Sequence, residues 1–191
     1  MTADLGMDAT QVHAHAQGVL DFWFGLPPEK HFAKDDALDR EMAARFGHLR
    51  DRVLATEAIG WRDDPDTLLA AILLLDQFSR NLYRGSAQGF AADPLALDLC
   101  LGAIDAGWED RYPPDRLAFL YMPLMHAESR AMQDLSVAKF AELGREDNLA
   151  FARDHRDVIR RYGRYPSRNA ALGRASTEAE KAYLNRPDAG W

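Results

Sequence analysis

The feature that most constrains the fold is an unbroken apolar run, residues 68–75, that turns abruptly polar. A helix that is apolar on every side must be surrounded by other elements, so this run predicts the central element of a helical core. At about 100° per residue, the polar side chains that follow share one side of the helix: Asp76, Gln77, Arg80, Asn81 and Arg84. An unpaired buried charge costs several kcal/mol, so these groups must find partners in the chain or in a ligand.

Start and stop signals divide the rest of the chain into further helices. Starts are predicted at residue 11, Asp35, Asp64-Pro65, Asp93-Pro94, Pro114-Asp115 and Thr177, and stops at Gly25, Gly107, Gly144 and Gly163. No segment alternates β-branched and polar residues, so strands are not expected. The pattern predicts an all-α fold of about eight antiparallel helices in a single domain, residues 1–191, with frayed ends at 1–10 and 186–191.

Composition excludes several classes of function. The net charge of −7 should repel nucleic acid and anionic membranes. The chain has one cysteine, Cys100, so a disulfide framework is impossible and a reducing compartment is favoured. The N-terminal residues lack the pattern of a secretory signal, and the longest apolar run is too short to span a membrane. We therefore expect a cytoplasmic protein with neither nucleic acid nor membrane as a partner.

Two further segments carry polar residues where the pattern predicts burial or irregular structure. His126 lies on an inward-facing stripe just after Pro123, with Glu128 close behind. His155 lies on the apolar stripe of its helix, ahead of an arginine-rich segment, residues 164–174. His126, His155 and Glu128 are the candidates for proton transfer. A metal site built from these three residues and Asp76 is chemically allowed, but the spacing is not diagnostic, and we predict no metal and no cofactor.

The charge count in these segments favours an anion. If residues 164–174 fold over the end of the central helix, their arginines join Arg80 and Arg84 and outnumber Asp76 and Glu128. Arginine offers paired donors that match phosphate or carboxylate. The predicted ligand-binding residues are Asp76, Gln77, Arg80, Asn81, Arg84, Arg164, Arg168, Asn169 and Arg174.

Several stretches of the sequence resemble a known family. LDFWFG, LLLDQFSRNLYRG, YMPLMHAE and HRDVIRRYGRYPSRNAALGRAST occur in the order typical of the bacterial DUF924 family of uncharacterised proteins. The resemblance implies a helical fold of the tetratricopeptide-like (TPR-like) class, although no 34-residue repeat is visible. It covers the polar positions singled out above, except Arg84. Ser167 stands where the family usually has histidine, which weakens any mechanism that needs a third histidine.

Three functional hypotheses remain open. In the first, the polar residues form a pocket for a small anionic molecule, phosphate- or carboxylate-bearing, with or without catalysis. In the second, the helices form a scaffold that binds a partner peptide in a groove, for which fold analogy is the only support. In the third, the polar cluster is internally satisfied and only stabilises the fold.

Overall fold

The computed structural model describes residues 7–187 and 189–190, which form helices and turns and no β-strand. The α-helices are α1 Ala9–Gly25, α2 Asp36–Ala55, α3 Pro65–Ile72, α4 Ser79–Leu82, α5 Asp93–Asp105, α6 Pro114–His126, α7 Arg130–Leu143, α8 Glu146–Tyr162 and α9 Glu178–Leu184. A π-helical turn, Leu73–Phe78, joins α3 to α4, and we call residues 65–82 the central helix. Counted this way, the described residues form eight helices, and the all-α prediction is confirmed.

The structure describes only part of each chain end that was predicted to fray. Residues 1–6, 188 and 191, part of the predicted frayed ends, lie outside the described residues. Helix α1 begins before the predicted residue 11, because Asp8 and Gln11 form a capping box. Near the other end, the backbone N–H of Gly190 donates to the Tyr183 hydroxyl at 3.3 Å.

The central helix lies in the middle of the molecule, as its composition predicts. Asp64 caps it by accepting hydrogen bonds from the backbone N–H groups of Asp66 and Thr67, and Pro65 occupies its first turn. Helices α1 and α5 pack on α3, while α2 packs on the π turn and α4. Helices α6, α7 and α8 follow in chain order, each against the next. A TPR-like arrangement is compatible with this packing.

The π turn is the main local departure from the expected helix. The Ser79 hydroxyl donates to the Leu74 carbonyl, five residues back, at 3.3 Å. The same hydroxyl accepts a 2.9 Å hydrogen bond from Nε of Arg50, a buried side chain of α2. Because a π turn holds one more residue than an α turn, it changes the angle between the apolar run and the polar residues after it. Asp76 and Gln77 lie inside this turn.

The surface shows no single apolar face on the described residues. The large exposed apolar side chains come from five different segments: Phe32, Ile59, Phe151, Leu172 and Leu184. Isolated apolar residues of this kind are normal on a protein surface. In the described part of the chain, no helix combines the length and the apolar character needed to cross a membrane.

Candidate functional site

The candidate site is centred on a contact between Asp76 and His126. Nδ1 of His126, at the last residue of α6, lies 2.7 Å from Oδ1 of Asp76 in the π turn. Nε2 of Gln77 donates to the other Asp76 oxygen at 2.5 Å. The Asp76 side chain is 0% exposed, whereas that of His126 is 14% exposed. The pair therefore has a sealed carboxylate and an imidazole that reaches the surface.

Two arginines flank this pair and share the carboxylate of Asp93. Arg80 donates to the two Asp93 oxygens at 2.9 and 3.0 Å, and its Nη1 is also 3.0 Å from Asp76. Arg168 donates to Asp93 at 3.1 Å and to the backbone carbonyl of His126 at 2.9 Å. The end of the central helix, the end of α6 and the late segment thus meet at one place.

Two aromatic rings pack against the Arg168 guanidinium. Its carbon atom Cζ lies 4.7 Å from the centroid of the Phe90 ring and 4.6 Å from that of Tyr165. A stacked guanidinium forms hydrogen bonds only in its own plane, because its N–H groups all point outward along that plane. Burial and the nearby Arg80 charge lower the pKa of Arg168, and the Asp93 carboxylate opposes this effect.

The protonation of the Asp76–His126 pair follows from its surroundings. Burial raises the pKa of Asp76, but the charge of Arg80 and the contact with His126 outweigh burial and hold it below its ordinary range. An ionised carboxylate can only accept, so Nδ1 of His126 carries the hydrogen. Burial and Arg80 lower the pKa of His126 against the opposing effect of Asp76. The ring is therefore neutral near pH 7, and its Nε2 is a hydrogen-bond acceptor.

No side chain or backbone group of the described residues hydrogen-bonds to that Nε2 atom. Among the described residues, three side-chain nitrogen or oxygen atoms are fully buried and have no hydrogen-bond partner: Trp23 Nε1, Gln133 Oε1 and Ser136 Oγ. Nε2 of His126 is not one of them, so it is not fully buried. It therefore lies at the accessible edge of the network. A neutral histidine oriented by a carboxylate, with its second nitrogen open, is the arrangement of a general base.

His155 packs near His126 and also against Tyr165. The His155 ring centroid lies 6.2 Å from that of His126 and 5.6 Å from that of Tyr165. Nδ1 of His155 lies 2.8 Å from the Phe151 carbonyl one turn earlier in α8. Burial, assisted by His126, lowers the pKa of His155 to about 3. This burial supports a role in the core for His155 and leaves His126 as the stronger candidate for proton transfer.

Glu128, Arg174 and Asn169 stabilise the late segment beside the site. Arg174 donates to both Glu128 oxygens at 2.7 and 2.9 Å, and Glu128 also accepts the backbone N–H of Tyr165 at 2.7 Å. The Asn169 side-chain oxygen accepts from Nε of Arg174 at 2.9 Å. Burial raises the pKa of Glu128, but Arg174 and the Tyr165 N–H outweigh it, and the net shift is downward. These bonds explain how the turn that carries Arg168 is fixed.

Arg164 lies at the outer edge of the late segment. It donates to Glu180 at 2.7 and 2.9 Å and joins the segment to α9. Glu180 also completes the predicted capping box with Thr177. The Arg164 bonds lower the pKa of Glu180 to about 2.

Asn81 and Arg84 are not part of the cluster around His126. Both bind Asp39 on α2, Asn81 through its amide at 2.7 Å and Arg84 through two N–H groups at 3.0 Å. The central helix ends at Leu82, so Arg84 lies in the turn beyond it. Arg84 therefore does not share one side of the helix with Asp76 and Arg80, contrary to the prediction from the sequence.

The predicted excess of arginine is also wrong. Each of the five arginines in that count is paired with a carboxylate: Arg80 with Asp76 and Asp93, Arg84 with Asp39, Arg164 with Glu180, Arg168 with Asp93 and Arg174 with Glu128. Five carboxylates thus balance five guanidinium groups. The sequence count failed because it included only Asp76 and Glu128 and left out Asp39, Asp93 and Glu180.

Sequence reasoning missed Asp93, Tyr165 and Phe90. Asp93 was interpreted only as a helix start, but Ala92 occupies the cap position and the Asp93 carboxylate turns to Arg80 and Arg168. A carboxylate beside a proline at a helix start gives no signal of such distant partners. Tyr165 lies beside Arg164 in a segment already singled out, so its aromatic character was the available signal.

Metal ligation finds no support from the arrangement of side chains. Among the described residues, no three or more His, Cys, Asp or Glu side chains are grouped so that they could hold a metal ion. Asp76 and His126 face each other, with Arg80 against the carboxylate. A cation in that position would meet the guanidinium charge.

The comparisons with known proteins agree on a family and a fold. The model of the family described as "Bacterial protein of unknown function (DUF924)" matches residues 19–188. A solved structure of a protein of unknown function from Agrobacterium tumefaciens is similar with a TM-score of 0.87 and 38% identity, covering 91% of this chain and 98% of that chain. No curated protein matches the sequence. The chain belongs to the bacterial DUF924 family.

Proposed function

We propose that the protein binds a small molecule bearing an oxyanion at the edge formed by Arg80, His126 and Arg168, and that His126 accepts a proton there. One observation carries this proposal: Asp76 holds His126 by Nδ1 and leaves Nε2 open. The open Nε2 gives a ligand at this edge an acceptor whose position is fixed by Asp76.

The exposure of the three side chains supports an approachable site. Arg80 is 21% exposed, His126 14% and Arg168 12%, whereas the Asp76 carboxylate beneath them is sealed. The hydrogen bonds of Arg168 use Nη1 and Nη2, and its Nε makes none to a described residue. A guanidinium offers five N–H groups, so donors remain for a ligand.

The arrangement also suits proton transfer. When His126 takes a proton, the buried Asp76 carboxylate stabilises the imidazolium that forms. The negative charge left on the ligand lies beside Arg80 and Arg168, and charges in a fixed, poorly hydrated site act more strongly than in water. General-base catalysis of this kind typically contributes about 10²–10⁴-fold to a rate.

The test is a thermal-shift panel of phosphate, sulfate, carboxylic acids and nucleotides. A ligand at 100 times its Kd stabilises by about 2.7 kcal/mol, which raises Tm by roughly 5–10 °C in a chain of this size. His126→Asn should reduce the shift, because the asparagine amide can still donate to Asp76 while the Nε2 acceptor is lost. Arg168→Lys should weaken it.

Arg84→Lys is the matched control. Arg84 also pairs with a single aspartate but lies away from His126, so this variant should keep the full shift. A panel in which no compound raises Tm, or in which Arg84→Lys removes the shift as completely as Arg168→Lys, contradicts the proposal.

The scaffold alternative has less support. A groove of about 250 Å³ between α8 and α9 is lined mainly by charged residues and tyrosines, including Asp154, Asp157, Arg161, Tyr162 and Tyr183. This lining lacks the apolar anchors that usually bind a peptide helix. Recovery of a stoichiometric partner from a cell extract would favour the scaffold.

A further inference from the structure

We infer that the oxyanion recognised at this site carries its own proton, and that the ligand is a phosphate or phosphomonoester rather than a fully ionised sulfate. This inference rests on the proposed function and specifies its ligand. It follows from three properties of the cluster: fixed donors, one fixed acceptor and a balanced charge.

The donors are fixed before a ligand arrives. The Arg168 guanidinium is held by contacts with the Phe90 and Tyr165 rings and by bonds to Asp93 and the His126 carbonyl. Arg80 is fixed by Asp93 and Asp76. Two such groups on one side of a site match the oxygens of a tetrahedral oxyanion, and they lose little conformational freedom on binding.

The acceptor is Nε2 of His126. Because Nδ1 donates to Asp76, the lone pair of Nε2 faces the incoming ligand. An unprotonated ligand oxygen would meet this lone pair without a hydrogen between them. An O–H group would instead complete the bond, and a site built to bond an O–H discriminates strongly against an analogue that lacks it.

The charge balance points in the same direction. The charged and titratable groups near His126 are Asp76 and Arg80 from the central helix, Asp93 from α5, His155 from α8, and Arg168. Two carboxylates offset two guanidinium groups, and both histidines are neutral. A neutral environment accepts a singly charged ion more readily than a doubly charged one, because each added charge must be desolvated.

Comparing phosphate with sulfate tests the acceptor and the charge balance together, because the two ions are tetrahedral and of similar size but differ in protonation. A phosphomonoester has a second pKa near 6 and keeps a proton on about half its molecules at pH 6, whereas sulfate keeps none. Titration calorimetry at pH 6 with inorganic phosphate, methyl phosphate and sulfate should give sulfate a Kd at least ~10-fold weaker than the better phosphate ligand. Tighter binding of methyl phosphate would identify an ester as the ligand, and tighter binding of inorganic phosphate would identify the free ion.

The His126→Asn variant tests the role of Nε2. It should bind phosphate more weakly and prefer it over sulfate by a smaller factor than the wild type, because it lacks the acceptor for the O–H group and keeps only the effect of the charge balance. His13→Asn, which replaces an exposed histidine at the start of α1, should keep the wild-type preference. Equal binding of phosphate and sulfate by the wild type overturns this inference and leaves the proposed oxyanion site standing. Absence of binding by every oxyanion overturns both.

Discussion

Among individual side chains, Asp76 has the largest predicted effect on stability. Its carboxylate is fully buried and contacts His126, Gln77 and Arg80. Removing one partner of a buried ion pair leaves the other charge uncompensated, which typically costs about 3–5 kcal/mol. Asp76→Asn should therefore lower the free energy of unfolding by about 3 kcal/mol, measured by urea denaturation.

A surface pair provides the control for that measurement. Asp134 and Arg160 form an ion pair at 2.6 Å, but both side chains are about half exposed, at 54% and 51%. Exposed pairs contribute about 0–1 kcal/mol. Asp134→Asn should thus change stability by well under 1 kcal/mol, and equal losses for the two variants would argue against a tightly coupled buried network.

His155 makes stability depend on pH in a defined direction. Its folded-state pKa of about 3 lies below the unfolded value of 6.5, so the unfolded chain binds more protons between these limits. Stability therefore rises with pH through this window and is fully present above about pH 6.5, with a slope of about 1.4 kcal/mol per pH unit from this group. Urea denaturation at pH 4.5, 5.5 and 6.5 should show a steeper loss in the wild type than in His155→Gln. Parallel profiles would contradict the assignment.

Among the helical elements, the π turn depends on one hydroxyl. The Ser79 Oγ links the Leu74 carbonyl to the buried Arg50 guanidinium, across 29 positions of the chain. Ser79→Ala leaves that guanidinium N–H without its acceptor, and a lost hydrogen bond to a charged group costs about 1.5–3 kcal/mol. We expect a loss of about 2 kcal/mol in urea denaturation. Ser86→Ala, which removes an N-cap bond to Gln88 at 3.2 Å, should cost less, and the reverse order would contradict this role for Ser79.

Gly163 positions the segment that carries Arg168. It follows α8 with φ of 73°, in the left-handed region that residues with a Cβ atom rarely adopt. A Cβ atom there would meet nothing within 4 Å, so Gly163→Ala should cost only the backbone strain, roughly 1–2 kcal/mol. Gly18→Ala, at an open helical position, should instead be neutral or stabilising. Thermal denaturation that ranks the two variants the other way would contradict this reasoning.

The helices were predictable from the sequence because their signals are local. Asp64 with Pro65, Gly163, and Thr177 with Glu180 each mark a helix end, and the structure places the ends there. The π turn was not predictable, because a run of apolar residues is equally compatible with an α-helix and with a π-helical turn. The convergence on His126 was foreseen as a hypothesis. The pairing of Asp93 with Arg168 was not, because 75 positions separate them and only the completed fold brings them together.

For the molecule as a whole, the predominance of acidic residues outweighs the basic segment near the C-terminus. Residues 153–174 contain seven arginines and two aspartates, within a chain of net charge −7. Several of these arginines are already bound to carboxylates, including Arg160, Arg164, Arg168 and Arg174. In a mobility-shift experiment at 0.15 M salt, micromolar protein should not retain duplex DNA or single-stranded RNA. Saturable binding would show that the carboxylates neutralise less of the positive charge of residues 153–174 than their contacts indicate.

The state of His126 is the most direct test of the account as a whole. Long-range ¹H–¹⁵N NMR of the wild type, with His126→Asn to assign the signals, reports which ring nitrogen carries a proton. We predict a neutral ring near pH 7 with hydrogen on Nδ1 and none on Nε2, and a perturbed Nε2 signal when phosphate is added. A hydrogen on Nε2, or a ring already doubly protonated at pH 7, would contradict the proposed site.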